Sequence, residues 1–373
     1  MKAWPILGIV IVQTILCLAH WFLLRTWIHF WWPLSPAAAM GLRIVMAVLA
    51  FSFVAASLLS YRYSNGLIRI AYVGAAIWLG LLNFLLTGAC LSWLADVALR
   101  LLYPGSVHME ARPFIILLFS VLAVATAVYG MLNARVVRVR SLTLRLARLP
   151  ESWRGRKALL VSDLHLGNIN GLHFAQRVAD KIANLKPDII FIPGDLFDGS
   201  KADPDRLAAP LLKLASPLGT YFVIGNHEEF GGETQFVGAL HRAGINVLNN
   251  ERVVVDGLHI IGVPFGHSTY PIRLRKFLES LRLNDAPASI LLNHVPSRLE
   301  IAEQAGVSLQ LSGHTHGGQV FPFSWIARRA FGTFTYGLQR FGQMQVYTSS
   351  GAGTWGPPMR VGTHSEIVLL TFA

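Results

Sequence analysis

The chain has 373 residues, enough for two domains, and 53% of them are hydrophobic, with a mean hydropathy of +0.48. That is high for a soluble protein of this size, so part of the chain belongs in lipid. The formal charge of +12 is uneven: residues 1–134 hold seven Lys/Arg and two Asp/Glu, residues 135–157 hold eight and one, and residues 158–373 hold 17 and 17. A nucleic-acid-binding face needs its basic excess on the folded domain, and that last segment is neutral, so no nucleic-acid partner is expected. Cys17 and Cys90 both fall inside apolar runs, which leaves no disulfide framework and no cysteine metal site.

Four stretches reach the roughly 20 apolar residues that a helix needs to cross a hydrocarbon core: 3–24, 44–61, 70–95 and 114–133. None holds a Lys, Arg, Asp or Glu. Trp4, Trp21, Trp27, Trp31 and Trp32 fall near helix ends, where amphipathic rings favour the interface. The first stretch reads as a retained helix, the alternative being a signal peptide; it is long, and three more hydrophobic segments follow it. Apart from His20 near one end there is no ionisable residue at mid-membrane, so residues 1–134 read as an anchor of about four helices and not as a transport path.

Residues 135–157 form a basic connector that includes a first strand. Arg135, Arg138, Arg140, Arg145 and Arg148 follow the last helix, and by the positive-inside rule they place the next domain in the cytoplasm, with the anchor in the inner membrane. The same run, VVRVRSLTLRLARLP, also alternates as a strand whose polar face carries arginine, and both readings hold at once.

Residues 158–373 alternate short β-branched runs with amphipathic stretches. Strands are predicted at ALLVSD, DIIFIPGD, GTYFVIGN, RVVVDG, HIIGV, ASILLNH and VSLQLSG, and helices near 171–184, 203–214, 234–243, 271–283 and 296–305. Pro204 and Pro296 suit helix starts, and Gly244 and Gly306 suit helix ends. A hairpin at QRFGQMQVYTSS and an edge strand SEIVLLTF close the chain. This order implies α/β layers, a sandwich with helices outside.

Five predicted strands end in turns rich in potential ligands: Asp163 and His165, Asp195, Asn226 and His227, His294, and His314 and His316. In an open α/β sheet, ligands bind beyond the carboxyl ends of strands. In extended backbone, residues i and i+2 point the same way, so Asp163 with His165 and His314 with His316 each offer two donors to one place. Seven donors exceed the needs of one tetrahedral ion, whereas a bridging Asp195 lets two divalent ions have about four ligands each. Mixed oxygen and imidazole donors suit Mn²⁺, Fe²⁺ or Zn²⁺, and two such ions clamp a phosphoryl oxygen and its attacking hydroxide.

SDLH, GDLFD, GNHE, a separate His294 and GHTH, in this order, resemble the calcineurin-like metallophosphoesterase family over about residues 155–373. The resemblance implies a four-layer αββα sandwich over 158–373. It also implies that Asp163, His165 and His316 hold one metal and Asn226, His294 and His314 the second, with Asp195 between them. His227 resembles the histidine that contacts the phosphate and assists the leaving group. Asp198 is expected to orient its turn and not to bind metal. Glu228 or Glu229 supports the ligands or sits on a solvated loop, while His173, His241, His259, His267 and His364 are expected at the surface or in the core.

The expected activity is hydrolysis of phosphodiester or pyrophosphate bonds. An anchored active site suits a phospholipid or nucleotide-linked glycolipid, and the chain is similar to the membrane-associated bacterial branch of the family, which includes enzymes that cleave the pyrophosphate of UDP-2,3-diacylglucosamine. Soluble phosphodiesters are the alternative substrates, and a non-enzymatic membrane scaffold the alternative class. A metallo-β-lactamase type would need an HxHxDH run, and there is none. The segment FPFSWIARRAFGTFTYGLQRF, with Arg328, Arg329 and Arg340, is either a flap that dips to the membrane interface or core packing.

Overall fold

The computed structural model describes residues 3–31, 33–103, 106–214 and 216–373. Trp32 and the side chain of Trp4 lie outside the described residues. The chain divides into two compact units, one of residues up to Leu132 with Gly356–Met359, the other of Asn133–Trp355 with Arg360–Ala373.

The first unit contains the helices α1 (Ala3–Phe30), α2 (Pro36–Arg62), α3 (Gly66–Leu102) and all but the last two residues of α4 (Val107–Ala134). All four are long and apolar enough to cross a membrane. Each runs beyond its apolar stretch because the backbone ladder continues through polar flanks. Ser35 and Asn65 cap α2 and α3 by accepting the N–H of Ala38 and Ile68. His20 is satisfied as a neutral ring: Nδ1 lies 2.7 Å from the carbonyl oxygen of Leu16, and Nε2 accepts from Trp78 at 2.9 Å. Near the end of α3, buried Asp96 pairs with Arg100 at 2.6 Å and Arg112 at 2.8 Å, an ion cluster just past the apolar run.

Among the described residues the second unit holds twelve strands: β1 (Val137–Leu144), β2 (Lys157–Leu160), β3 (Ile189–Ile192), β4 (Thr220–Phe222), β5 (Asn246–Val247), β6 (Glu251–Val255), β7 (Leu258–Val263), β8 (Ser289–Asn293), β9 (Leu309–Ser312), β10 (Gly337–Phe341), β11 (Met344–Thr348) and β12 (Ser365–Phe372). Its helices are α5 (Leu172–Leu185), α6 (Pro204–Ala208), α7 (Asn226–Gly231), α8 (Glu233–Arg242), α9 (Phe265–Ser268), α10 (Pro271–Ser280), α11 (Leu299–Gln304) and α12 (Phe323–Phe331). Two six-stranded sheets form, ordered β1-β12-β2-β3-β4-β5 and β10-β11-β9-β8-β7-β6.

Period-two alternation builds the layers. In β3, Ile189 and Phe191 face the other sheet, where they join Ile260, Ile290, Leu292 and Leu311, while Ile190 and Ile192 face Phe174 and Val178 of α5. In β8, Leu291 turns outward to Leu274 and Leu278 of α10 and Ile301 of α11. The result is a four-layer αββα sandwich. β2, β3 and β4 run parallel in one sheet and β8 and β9 in the other, so each sheet has its own row of carboxyl ends.

Several expectations change. SEIVLLTF is not an edge strand: β12 lies between β1, parallel to it, and β2, antiparallel to it, and the arginine-bearing β1 takes the edge. Pro296 precedes α11 by three residues, with Arg298 at the cap. The predicted helix 203–214 is α6 followed by a 3₁₀ stretch, Ala209–Leu214. Pro204 does start its helix, and Gly244 and Gly306 end theirs at φ +73° and +86°.

Candidate metal centre

The turns after β2, β3, β4, β8 and β9 meet in one buried cluster. Asp163, His165 and His316 form one group of donors, His165, Asp195 and His227 a second, and Asp195, His294 and His314 a third, with the ligand atoms of each group within 4.8 Å of one another. Asp195 Oδ2 lies 3.1 Å from His294 Nε2, 3.9 Å from His165 Nε2 and 4.0 Å from His227 Nε2. Asn226 Oδ1 lies 3.1 Å from His294 Nε2 and 3.0 Å from His314 Nδ1. On the other side, His316 Nε2 is 3.0 Å from His165 Nε2 and 3.8 Å from Asp163 Oδ1. All seven expected donors and His227 thus come together.

The backbone that aims them is not extended, contrary to the i, i+2 expectation. Asp163, His165, Asp195, His314 and His316 have φ of 52°, 46°, 52°, 69° and 49°, left-handed values that cost a non-glycine residue about 1–3 kcal/mol each. Hydrogen bonds hold these turns. Asp163 Oδ1 accepts the N–H of His314 at 2.9 Å, and Asp195 Oδ1 accepts that of His227 at 3.0 Å, so each aspartate braces a neighbouring loop with one oxygen. Ser162 Oγ donates to the other oxygen of Asp163. Glycine is required where loops approach: a Cβ on Gly313 would overlap Ser162 Oγ and the Asp163 carboxylate, and one on Gly225 would overlap Asp195.

Glu228 is fully buried and accepts three backbone N–H groups, those of Asp195, Phe197 and Gly225. It braces the ligand turns through their main chain; Glu229 is half-buried and accepts the N–H of Gly266. Asp198 accepts from the N–H of Asn168 and Ser200, which shapes its turn, and its carbonyl oxygen lies 3.0 Å from His227 Nδ1. That contact makes Nδ1 the donor and leaves Nε2 of His227 facing the cluster. The indole of Trp355, half exposed, meets the His227 ring edge-on at 5.6 Å. His173, His241, His259, His267 and His364 belong to none of the three donor groups.

Two contributors were missed in the sequence. Trp355 carries no motif. Arg360, fully buried, donates to the carbonyl oxygens of His316, Ser350, Gly351 and Gly353, and nothing local marks a single arginine as the brace of a loop it reaches across the fold.

The side chains strain against one another electrostatically. Burial holds His165 and His316 well below the ordinary histidine range and lowers His314 to about 4. Burial also works against a charged His294, but the Asp195 carboxylate beside it overrides this and raises it to about 10. Burial lifts Asp163 to about 6, whereas His294 and His227 overcome burial and hold Asp195 well below the usual carboxylate range. Among the described residues, the buried His165 Nδ1 has no hydrogen-bond partner. Imidazole nitrogens, carboxylate oxygens and an amide oxygen face a common interior with too few protons to pair them, which is the donor chemistry of a divalent-cation site.

The profile of the calcineurin-like phosphoesterase family matches residues 156–318. Over 255 residues the chain is 31% identical to an uncharacterized metallophosphoesterase of Aquifex aeolicus, a match that covers 67% of this chain and 97% of the relative. It is 34% identical to an uncharacterized metallophosphoesterase of Helicobacter pylori, over 57% of this chain and 59% of that one. It is 32% identical to a Danio rerio transmembrane protein with metallophosphoesterase domain, over 66% of this chain and 60% of that one. The chain therefore spans about three fifths of the length of the latter two relatives.

Proposed function

This chain belongs to the calcineurin-like phosphoesterase family, and we propose that it is a metal-dependent phosphoesterase that acts from a membrane anchor on phosphodiester or pyrophosphate bonds of a lipid-linked substrate. The observation that carries the chemistry is the convergence of five strand ends on Asp195. Asp163, His165 and His316 would hold one divalent cation and Asn226, His294 and His314 another, with Asp195 shared; Mn²⁺, Fe²⁺ or Zn²⁺ suits these donors. Such a pair supplies Lewis acidity toward the phosphoryl oxygens and an acidified water as nucleophile.

The chain's own groups do the rest. Asp163 and Asp195 hold the loops of His314 and His227 in register, and burial keeps bulk water from competing for the phosphate. His227, tied by Nδ1 to Asp198, turns Nε2 inward; when protonated it passes that proton to the leaving oxygen as the phosphorus–oxygen bond breaks.

The four apolar helices and the arginines that follow them support an inner-membrane anchor with the catalytic unit in the cytoplasm. That placement favours a phospholipid or a nucleotide-linked glycolipid of the UDP-2,3-diacylglucosamine kind. A second reading, soluble phosphodiesters, is favoured by Trp355, whose exposed indole beside His227 offers a stacking face to a base.

The test is hydrolysis of bis-p-nitrophenyl phosphate by the purified chain with Mn²⁺, followed by lipid-extract fractions with mass spectrometry of the products. Asp195→Asn should lower kcat/KM by about 10²-fold or more and reduce bound metal. Undiminished turnover in that variant would remove Asp195 from the mechanism.

A further inference from the structure

Beside α12 lies a cavity of about 700 Å³ that the phosphoesterase chemistry does not use. Trp325 and Arg328 of α12, Tyr336, Gln339 and His364 line it, and it reaches Gly317, the neighbour of His316. Arg328 is exposed and has no carboxylate within ion-pair distance among the described residues. The Tyr336 hydroxyl accepts from Arg140 at 2.8 Å and donates to Glu366 at 2.8 Å. Glu366 is buried and also accepts from Tyr347, Ser349 and the N–H of Ser350, so its charge is already met.

The surrounding sequence has one sign of charge. Between Glu303 and Glu366 there is no Asp or Glu, while Arg328, Arg329, Arg340 and Arg360 fall in the interval. A wall that presents the Arg328 guanidinium and no free carboxylate suits an anion.

The helix that forms this wall has no buried residue. Phe323, Trp325 and Ile326 are 50%, 65% and 62% exposed, and Arg328 and Arg329 follow in its last turn. A soluble domain gains nothing by leaving these side chains in water. Aromatic and aliphatic groups beside arginine in one short amphipathic helix are what the boundary between headgroups and acyl chains accommodates. For α12 the exposure removes the core-packing alternative, whereas Phe334 and Phe341, later in the same segment, do pack against the outer core. The chain also carries its own apolar spans, so a bilayer is always within reach of the domain.

We propose that α12 lies in the bilayer surface through Phe323, Trp325 and Ile326, and that the cavity behind it seats the headgroup of an anionic phospholipid. The proposal rests on the membrane anchoring argued above and not on which ester is cleaved. Phe331, at the end of the same helix, meets the His314 ring at 6.1 Å, so the seated lipid and the metal centre share one structural element.

The test uses the full chain with Cys17→Ser, Cys90→Ser and Trp325→Cys, labelled at position 325 with an environment-sensitive fluorophore. It is reconstituted in nanodiscs of phosphatidylcholine alone or of phosphatidylcholine with phosphatidylglycerol. Brominated acyl chains should quench the label, more strongly with phosphatidylglycerol, and Arg328→Glu should abolish that lipid-dependent increment. Emission at the label's wavelength in water, without quenching, overturns the proposal. So does quenching that is equal in both lipids or indifferent to Arg328→Glu. Hydrolysis of bis-p-nitrophenyl phosphate by unlabelled discs reads the catalytic proposal separately: turnover without quenching sinks only the lipid seat, and quenching without turnover only the chemistry.

Discussion

Glu228 Oε2 stands 3.1 Å from the amide nitrogen of Asp195 and 2.9 Å from that of Gly225, which ties the turn after β3 to the turn after β4. Its second oxygen takes the N–H of Phe197 at 2.9 Å. Burial and the Asp195 charge push this carboxyl up to about 8, against the pull of the N–H donors.

Glu228→Ala leaves three buried N–H groups without an acceptor and should cost roughly 3 kcal/mol or more, since each such orphan costs about 1–3 kcal/mol. Glu228→Gln keeps one acceptor oxygen and should lose less. Urea midpoints of the two variants would show the order, and equal midpoints for Glu228→Ala and the parent would rule out the brace.

His227→Ala should leave metal content unchanged and slow an alkyl phosphodiester by about 10²–10⁴-fold, the range for a positioned general acid. With p-nitrophenolate leaving, little proton donation is needed, so the loss should be smaller. Elemental analysis alongside kcat for both substrates decides it; loss of metal in the variant would make His227 a ligand instead.

Gly313→Ala drives a methyl group into Ser162 and the Asp163 carboxylate, one of the ligand candidates, which must shift to admit it. Bound metal per chain should fall, with the secondary structure retained. A variant that loads metal as the parent does would mean that the loop shifts more easily than its contacts imply.

In chelator, stability should decline as pH rises from about 7 to 10. His294 is raised from 6.5 to about 10, so its contribution is complete below 6.5 and disappears through 10; Glu228, raised from 4.5 to about 8, contributes a decline that begins near 4.5 and ends near 8, within the lower part of that range. Saturating Mn²⁺ should reverse the trend, because binding expels the His294 proton. Thermal melts across that range with and without Mn²⁺ check both signs, and a flat chelator profile would contradict the first.

The donor residues were legible because each ends an apolar run, and a strand boundary is a local signal. What aims them was not: left-handed φ at Asp163 or His316 is imposed by contacts with distant loops, and the i, i+2 rule of extended chain gave the right convergence for the wrong backbone. The place of SEIVLLTF escaped for a similar reason, since sheet order depends on pairing partners far away in sequence. The short helices α7, α9 and α12 span too few turns for periodicity to register. GNHE marks His227, but the two glutamates after it look alike until one is buried.

Among the described residues β12 is the sole sheet neighbour of β1. A ribosome releases β1 immediately after the fourth apolar helix, yet its partner emerges only with Ser365–Phe372. Throughout that interval β1 is an unpaired strand, open to mispairing with other nascent chains. Arg138 and Arg140 along it put like charges on that strand, which works against pairing with another copy.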